Sequence, residues 1–377
     1  MLKYYNIAGL MTSIDDSGPF GTALCRYFER EQLASEPERI DFRIRMAENA
    51  DDLKIKARYT AISGKFRVNP DEFSVRERYY SYAVRHLFTG GTPELTILWT
   101  RKSTPVNALR DAVSIKTIGT ASEEKKFLEK TLNYSLFWYV LAVVLLRHGK
   151  CFVHSGIFAD DAGAHVVAGS AGCGKTSTLL KAMENPKCRY IDEDFGILGE
   201  DGRAYYIPKR VTVYEEDAAF GSPVIKRALQ SMKTGEKGVW KFYGAAGINK
   251  RYKFHPEVIF PGQTAVSEKI ASVAFVSRSD AEQPVRRELS CELLTEKLMS
   301  ASFRELKTLY ELLNNFRAVG DEEILKNYPS VHELETRYSL IMRQILENAE
   351  DTCFIETPFK AGPAETLDLV MKVRSKK

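Results

Sequence analysis

In residues 1–121 the apolar positions fall in short runs bounded by Gly, Asp and Asn, the pattern of strands and turns. The cleanest alternation sets Phe42, Ile44 and Met46 against Arg43 and Arg45, and predicts a half-buried strand with one wet face over 41–46. The runs Ser74–Val84 and Leu95–Thr100, rich in β-branched and aromatic residues, also predict strands. In Ser74–Val84 neither face is cleanly apolar: Arg76, Arg78, Tyr80 and Tyr82 share one side, and Val75, Glu77, Tyr79 and Ser81 the other.

The period changes after residue 121. Leu128, Leu132, Leu136 and Tyr139 recur at helical spacing, and Gly149 stands where a helix-ending glycine belongs, so a helix is expected over Ser122–His148. Its apolar run Leu136–Leu146 is shorter than the roughly 20 residues a membrane span needs and predicts a buried helix. There follow a strand (Cys151–His154), a strand (Ala164–Ala168), a glycine-rich turn, a helix (Lys175–Glu184) and a strand (Arg189–Ile191). That rhythm predicts an α/β nucleotide-binding core. Residues Met232–Lys253 hold glycines and lysines without apolar periodicity and read as a mobile loop, a lid over the nucleotide or the acceptor. Lys269–Ser277 is a further apolar strand, and from Glu292 onward helical stripes dominate (Leu298, Phe303, Leu306, Leu309, Leu313; then Leu334, Tyr338, Ile341, Ile345). The stripes mark core packing. The expected division is a β-rich N-terminal domain (1–121), an α/β core (122–290) and a mainly helical C-terminal region (291–377).

Composition changes this picture little. Hydrophobic residues make up 44% and charged residues 28% of the 377, which excludes wholesale disorder. The net charge of +4 gives no reason to expect nucleic acid as a partner. Six dispersed cysteines without a C-x-x-C argue against a disulfide scaffold or a zinc site and suit a cytoplasmic protein. Met1–Asn6 has no cationic head followed by an apolar stretch, so neither a secretion signal nor a membrane is expected.

The chemistry is concentrated in Gly169-Ser170-Ala171-Gly172-Cys173-Gly174-Lys175-Thr176, followed by Ser177, which fits G-x-x-x-x-G-K-[ST] at every fixed position. Glycines let several N–H groups converge on one phosphate chain, and a helix N-terminus behind the loop adds its positive dipole end. Lys175 would reach the β/γ-phosphates and Thr176 would ligate Mg²⁺. Asp192-Glu193-Asp194 closes a strand 19 residues beyond Lys175 and should emerge at the same sheet edge, where carboxylates hold metal or receive a hydroxyl proton. His154 ends the strand before the loop strand. Lys209-Arg210 and Lys250-Arg251 are loop cations suited to neutralising phosphate charge, and Arg251 is assigned to the nucleotide.

The stretch Cys151–Gly196 resembles the P-loop core of HPr kinase/phosphorylase and its relatives, a group similar to phosphoenolpyruvate carboxykinase in its nucleotide core. It supplies His154, a hairpin turn at Asp160–Gly163, the glycine-rich loop, and Glu193-Asp194 at a strand end. The resemblance implies an α/β core of HPr kinase type. It also implies Asp194 as catalytic base, Glu193 and Asp194 at the metal with Thr176, and His154 near the γ-phosphate. The later E-[IV]-R-G-x-G signature tied to HPr recognition is not recognisable, and the layout is similar in outline to peptide serine kinases of peptide-modification clusters.

The expected activity is ATP- and Mg²⁺-dependent transfer of the γ-phosphoryl to a hydroxyl, of Ser/Thr in a peptide or protein. A small-molecule kinase with the same core and a nucleotide-switched regulatory ATPase remain open at this stage. So do the acceptor, ATP against GTP, and a homo-oligomeric state.

Overall fold

The computed structural model describes residues 1–62, 64–77, 80–99, 137–213, 222–232, 234–245 and 252–372. The chain divides into two compact units. The first takes 1–111, 122–148 and 305–337; the second takes 112–121, 149–304 and 338–377. The helices after residue 291 are therefore shared between the two units, whereas the stripe pattern suggested a separate C-terminal region. Amphipathic stripes show that a helix packs, not on what it packs.

The first unit is built on a mixed eight-stranded sheet. Its strands are β1 (Leu2–Ile7), β2 (Leu10–Asp15), β3 (Phe42–Met46), β4 (Tyr59–Ala61), β5 (Phe66–Val68), β6 (Glu72–Arg76), β7 (Tyr80–Arg85) and β8 (Glu94–Trp99), in the order β1-β2-β3-β8-β7-β6-β5-β4. β3 runs parallel to both β2 and β8, and the helix Gly18–Tyr27 makes the β2-to-β3 crossover. Phe42 and Ile44 are buried while Arg43 and Arg45 are exposed, as the alternation requires. The Ser74–Val84 run is not one strand. It folds back as the β6–β7 hairpin with Ser74 opposite Ala83, which explains its mixed faces: Phe73 and Val75 are buried from one arm and Tyr80 and Tyr82 from the other.

Of the long helix expected over 122–148, Phe137–Arg147 is helical, and 122–136 lie outside the described residues. Every side chain from Phe137 to Leu146 is buried, and Tyr139 donates to the Tyr82 hydroxyl at 2.5 Å. Gly149, with φ 66°, follows this helix. Among the described residues no helix is long and apolar enough to cross a membrane.

The second unit carries a nine-stranded sheet. Its strands are β9 (Lys150–Val153), β10 (Ser155–Ala159), β11 (Ala164–Gly169), β12 (Arg189–Glu193), β13 (Gly196–Gly199) and β14 (Arg203–Tyr205), with β15 (Val211–Val213) and β16 (Tyr252–Phe254) forming a separate ribbon; β17 (Ser267–Ser279), β18 (Val285–Arg287) and β19 (Asp351–Pro358) complete the sheet. The order is β12-β10-β11-β17-β14-β13-β9, with β19 beside β17 and β18 beside β19. β11, β17 and β19 are parallel neighbours, so their C-terminal ends share one edge. The helix Lys175–Ala182 packs Leu179 and Leu180 with Phe158, Val167 and Val276 in one core cluster. The strand β19 lies within the stretch read as helical.

The reading of Met232–Lys253 as a loop needs correction. Thr234–Ala245 is a helix, with Trp240 buried edge-on to Tyr252 at 5.5 Å between ring centroids. Gly235, Gly238 and Gly244 hid this helix, because each weakens helix propensity by about 1 kcal/mol. Residues 246–251 lie outside the described residues.

Candidate functional site

The glycine-rich loop leaves β11 at the C-terminal edge of the parallel strands, where open α/β sheets place their ligands. Two of its glycines resist substitution, Gly169 by a backbone clash and Gly174 chiefly by its left-handed backbone. At Gly169 (φ 151°) a Cβ would come 2.3 Å from the Val276 carbonyl oxygen and 2.6 Å from Cys173 Sγ. At Gly174 (φ 99°), which opens the helix Lys175–Ala182, a Cβ would come 2.9 Å from an Arg278 guanidinium nitrogen. The loop turns Ser170, Ala171 and Gly172 to solvent and buries Cys173. Lys175, only 8% exposed, donates from Nζ to the carbonyls of Gly169 and Ser170, both at 2.9 Å.

The acidic cluster reaches the same place. β12 ends at Glu193, whose Oε1 accepts from the Thr176 hydroxyl at 2.8 Å. Adjacent strand residues point to opposite faces, but Asp194 adopts φ 78°, the left-handed conformation Asp tolerates better than most residues. That turn aims Asp194 at a different pair of partners. Its Oδ2 meets Lys209 Nζ at 2.5 Å and its Oδ1 meets His154 Nδ1 at 3.1 Å. Lys209 is 2% exposed and lies 3.9 Å over the Phe195 ring. The His154 main-chain N–H donates to Ser302 Oγ at 3.2 Å, and Tyr338 donates to the Phe152 carbonyl at 2.6 Å, fixing the strand that carries the imidazole.

Three neighbouring acids thus have three environments. Asp192 is wholly buried; one oxygen accepts from the Glu193 N–H at 2.7 Å and the other has no hydrogen-bond partner among the described residues. Burial pushes its pKa far above the ordinary carboxylate range. Burial, reinforced by the Asp194 charge, also raises Glu193. Burial acts on Asp194 in the same sense, but the Lys209 ammonium and the His154 hydrogen bond outweigh it and hold Asp194 well below the usual range, ionised.

The donor set fits a magnesium ion. Thr176 Oγ1 and Glu193 Oε1, now joined by a 2.8 Å hydrogen bond, are the hydroxyl and carboxylate oxygens that would hold such an ion. Among the described residues no three His, Cys, Asp or Glu side chains cluster as a metal cage. Mg²⁺ needs none, since it is normally held by one or two protein oxygens together with water and phosphate. Asp194, assigned to the metal from sequence, is engaged instead by Lys209 and His154.

The structure therefore brings Lys175, Thr176, Glu193, Asp194 and His154 to one edge, with Gly169–Gly174 and Ser177 beside them. Arg251 lies outside the described residues. Lys209 was visible in the sequence only as one of several loop cations. Arg278 was missed, although it follows the apolar run Phe275-Val276-Ser277 that ends beside the loop strand, with Gly169 paired to Val276. Compared with known proteins, the chain matches no protein-family model and no curated protein.

Proposed function

We propose that the protein is an ATP- and Mg²⁺-dependent kinase, of HPr-kinase-like type, that transfers the γ-phosphoryl group to a Ser/Thr hydroxyl of a peptide or protein. The observation that carries the reading is the 2.8 Å contact between Thr176, in the first turn behind a G-x-x-x-x-G-K-T loop, and Glu193 of a strand-end acidic cluster. A chance glycine-rich turn has no reason to meet a pair of acids held in opposite protonation environments.

In this reading the loop N–H groups and Lys175 bind the phosphates, and Thr176 and Glu193 hold Mg²⁺. The ion, when bound, supplies neutralisation of the charge on the β- and γ-oxygens. Asp194 accepts a hydrogen bond from the acceptor hydroxyl, orients it, and receives its proton as the phosphoryl is transferred. Its low basicity suits a loose transition state, in which the proton leaves late. Lys209 and His154 hold that carboxylate in place.

The test pairs binding with transfer. Wild-type protein with γ-labelled ATP and a pool of Ser/Thr peptides should label peptide. Asp194→Asn should lower transfer by about 10² to 10⁴ while nucleotide affinity stays within a few fold. Glu193→Gln should raise the Mg²⁺ concentration needed. Normal transfer by Asp194→Asn, or labelling that needs no hydroxyl acceptor, overturns the assignment.

A further inference from the structure

Beside the glycine-rich loop lies a cavity of about 230 Å³, half open to solvent. One wall is the face of the helix Lys175–Ala182 and its last turn that carries Ser177, Leu180, Lys181 and Glu184. These residues recur at 3–4-residue spacing, so they form a stripe that starts at the loop and runs about 10 Å away from it. The second wall is Ser222 and Ile225, at the start of the helix Pro223–Ser231. The third is Gly362–Ala364, at the start of the helix Pro363–Val370.

The lining is apolar on its broad sides and polar at a few points. Leu180 and Ile225, each 3% exposed, form the apolar floor, and Pro363 and Ala364 the more open apolar wall. Lys181 and Glu184, paired at 2.6 Å, put a cationic donor and an anionic acceptor at the end away from the loop. Ser222 stands beside them with its hydroxyl oxygen buried. Burial raises the Glu184 carboxyl, but the hydrogen bond from Lys181 outweighs it and brings it below its usual value, so it stays an acceptor.

The third wall is held to the end of β17, the strand that pairs with the loop strand. Arg278, at the end of β17, donates to the carbonyls of Pro358 (2.6 Å) and Ala361 (3.0 Å), just before Gly362. Its other terminal nitrogen sits against Gly174, as the 2.9 Å Cβ approach there records. The guanidinium is bonded to the cavity wall and lies close to the loop backbone.

We infer that this cavity is the nucleoside site, which takes a purine base between the Leu180 and Pro363–Ala364 walls with its hydrogen-bonding edge toward Lys181 and Glu184. The inference rests on the kinase reading above, since it supplies the base for phosphates bound at the loop. A flat heterocycle matches the size and the apolar sides. Purines present both a donor and an acceptor along the edge that a Lys–Glu pair would read, and they fill the length that a pyrimidine leaves short.

The experiment compares ligands that share the phosphates and differ in the base. Dissociation constants are measured for ATP, GTP, CTP, UTP and inorganic tripolyphosphate, each with Mg²⁺. ATP and GTP should bind about tenfold or more tighter than CTP and UTP, and tripolyphosphate weakest of all. Ala364 is exposed and tolerates enlargement, so Ala364→Trp should bring all four nucleotides close to tripolyphosphate and leave tripolyphosphate itself unchanged. Glu184→Gln should shrink the purine preference without altering tripolyphosphate. Wild-type protein that binds tripolyphosphate as tightly as ATP, or an Ala364→Trp variant with unchanged nucleotide affinity, removes the base site and leaves the kinase reading standing. A parallel loss of tripolyphosphate shows that the cavity belongs to the phosphate site, and overturns the inference too. If neither nucleotide nor tripolyphosphate binds wild-type protein, the kinase reading falls, and this inference with it.

Discussion

Replacing Lys209 by Met tests how the charges of the site are arranged, independently of any substrate. Met fills much of the lysine volume over the Phe195 ring but removes the ammonium 2.5 Å from Asp194. Breaking one side of a buried ion pair costs about 3–5 kcal/mol. The loss has a ceiling, because Asp194 can escape by taking up a proton. From an ordinary Asp pKa near 3.9, that escape costs about 4 kcal/mol at pH 7 and about 1.5 kcal/mol at pH 5. The Asp194 side chain keeps 29% of its surface exposed, which places the expected loss at pH 7 toward about 3 kcal/mol. The sign follows from proton binding. In the wild type the folded Asp194 pKa is depressed, so its stabilisation is complete above the unfolded value and is lost only as pH falls through and below that value. In the variant the folded pKa is raised, and stability falls as pH rises. The difference between the two proteins should therefore shrink from about 3 kcal/mol at pH 7 to about 1.5 kcal/mol or less at pH 5. Urea unfolding at both pH values reads it directly, and adding Asp194→Asn to the Lys209→Met background should abolish the pH dependence. A loss under about 1 kcal/mol, or one equal at both pH values, refutes the buried pair as described.

Lys175→Ala should cut phosphoryl transfer by about 10² or more, since the loop loses its fixed cation; turnover near wild type in a steady-state assay would remove the phosphate-binding reading. In the first unit, burial pushes Glu31 up to about 7, with one carboxyl oxygen enclosed and without a hydrogen-bond partner among the described residues. The folded state therefore holds the proton longer than the unfolded state, and stability falls as pH climbs from about 4.5 to about 7. Glu31→Gln should gain about 2 kcal/mol at pH 8, allowing for partial exposure, and nothing at pH 4.5; thermal unfolding that shows the same gain at both pH values contradicts this.

The local elements of the site were legible because each is written in contiguous residues. The strand Ala164–Gly169, the loop and the helix that follows are fixed by apolar residues, glycines and a return to helical spacing, and they lie where the motif puts them. The approach of Glu193 to Thr176 followed from counting one helix and one returning strand. What sequence could not supply was the partner of each charge. Lys209 and Lys250 look alike as loop cations, and only the path of the chain puts Lys209 under Asp194. The left-handed turn that separates Glu193 from Asp194 falls on Asp194 itself, not on Gly196 nearby, because a short acidic side chain also tolerates it. β19 was unreadable for a related reason: its Thr352-Cys353-Phe354-Ile355 run is short and ambiguous, and becomes a strand through its register with β17. The helix Thr234–Ala245 shows the opposite failure, with poor local propensity overridden by the burial of Trp240.

The two carbonyls that hold Lys175 Nζ have a consequence for selectivity. They make the loop its own competitor: an anion gains the lysine only by offering better acceptors than Gly169 and Ser170 already provide. A weak, singly charged anion offers too little to displace them, whereas the phosphate chain of the proposed nucleotide would supply several charged oxygens and engage the loop amides at the same moment. The exchange passes from one satisfied arrangement to another and never leaves a bare ammonium in a buried position, so discrimination against common small anions need not slow the entry of the right one.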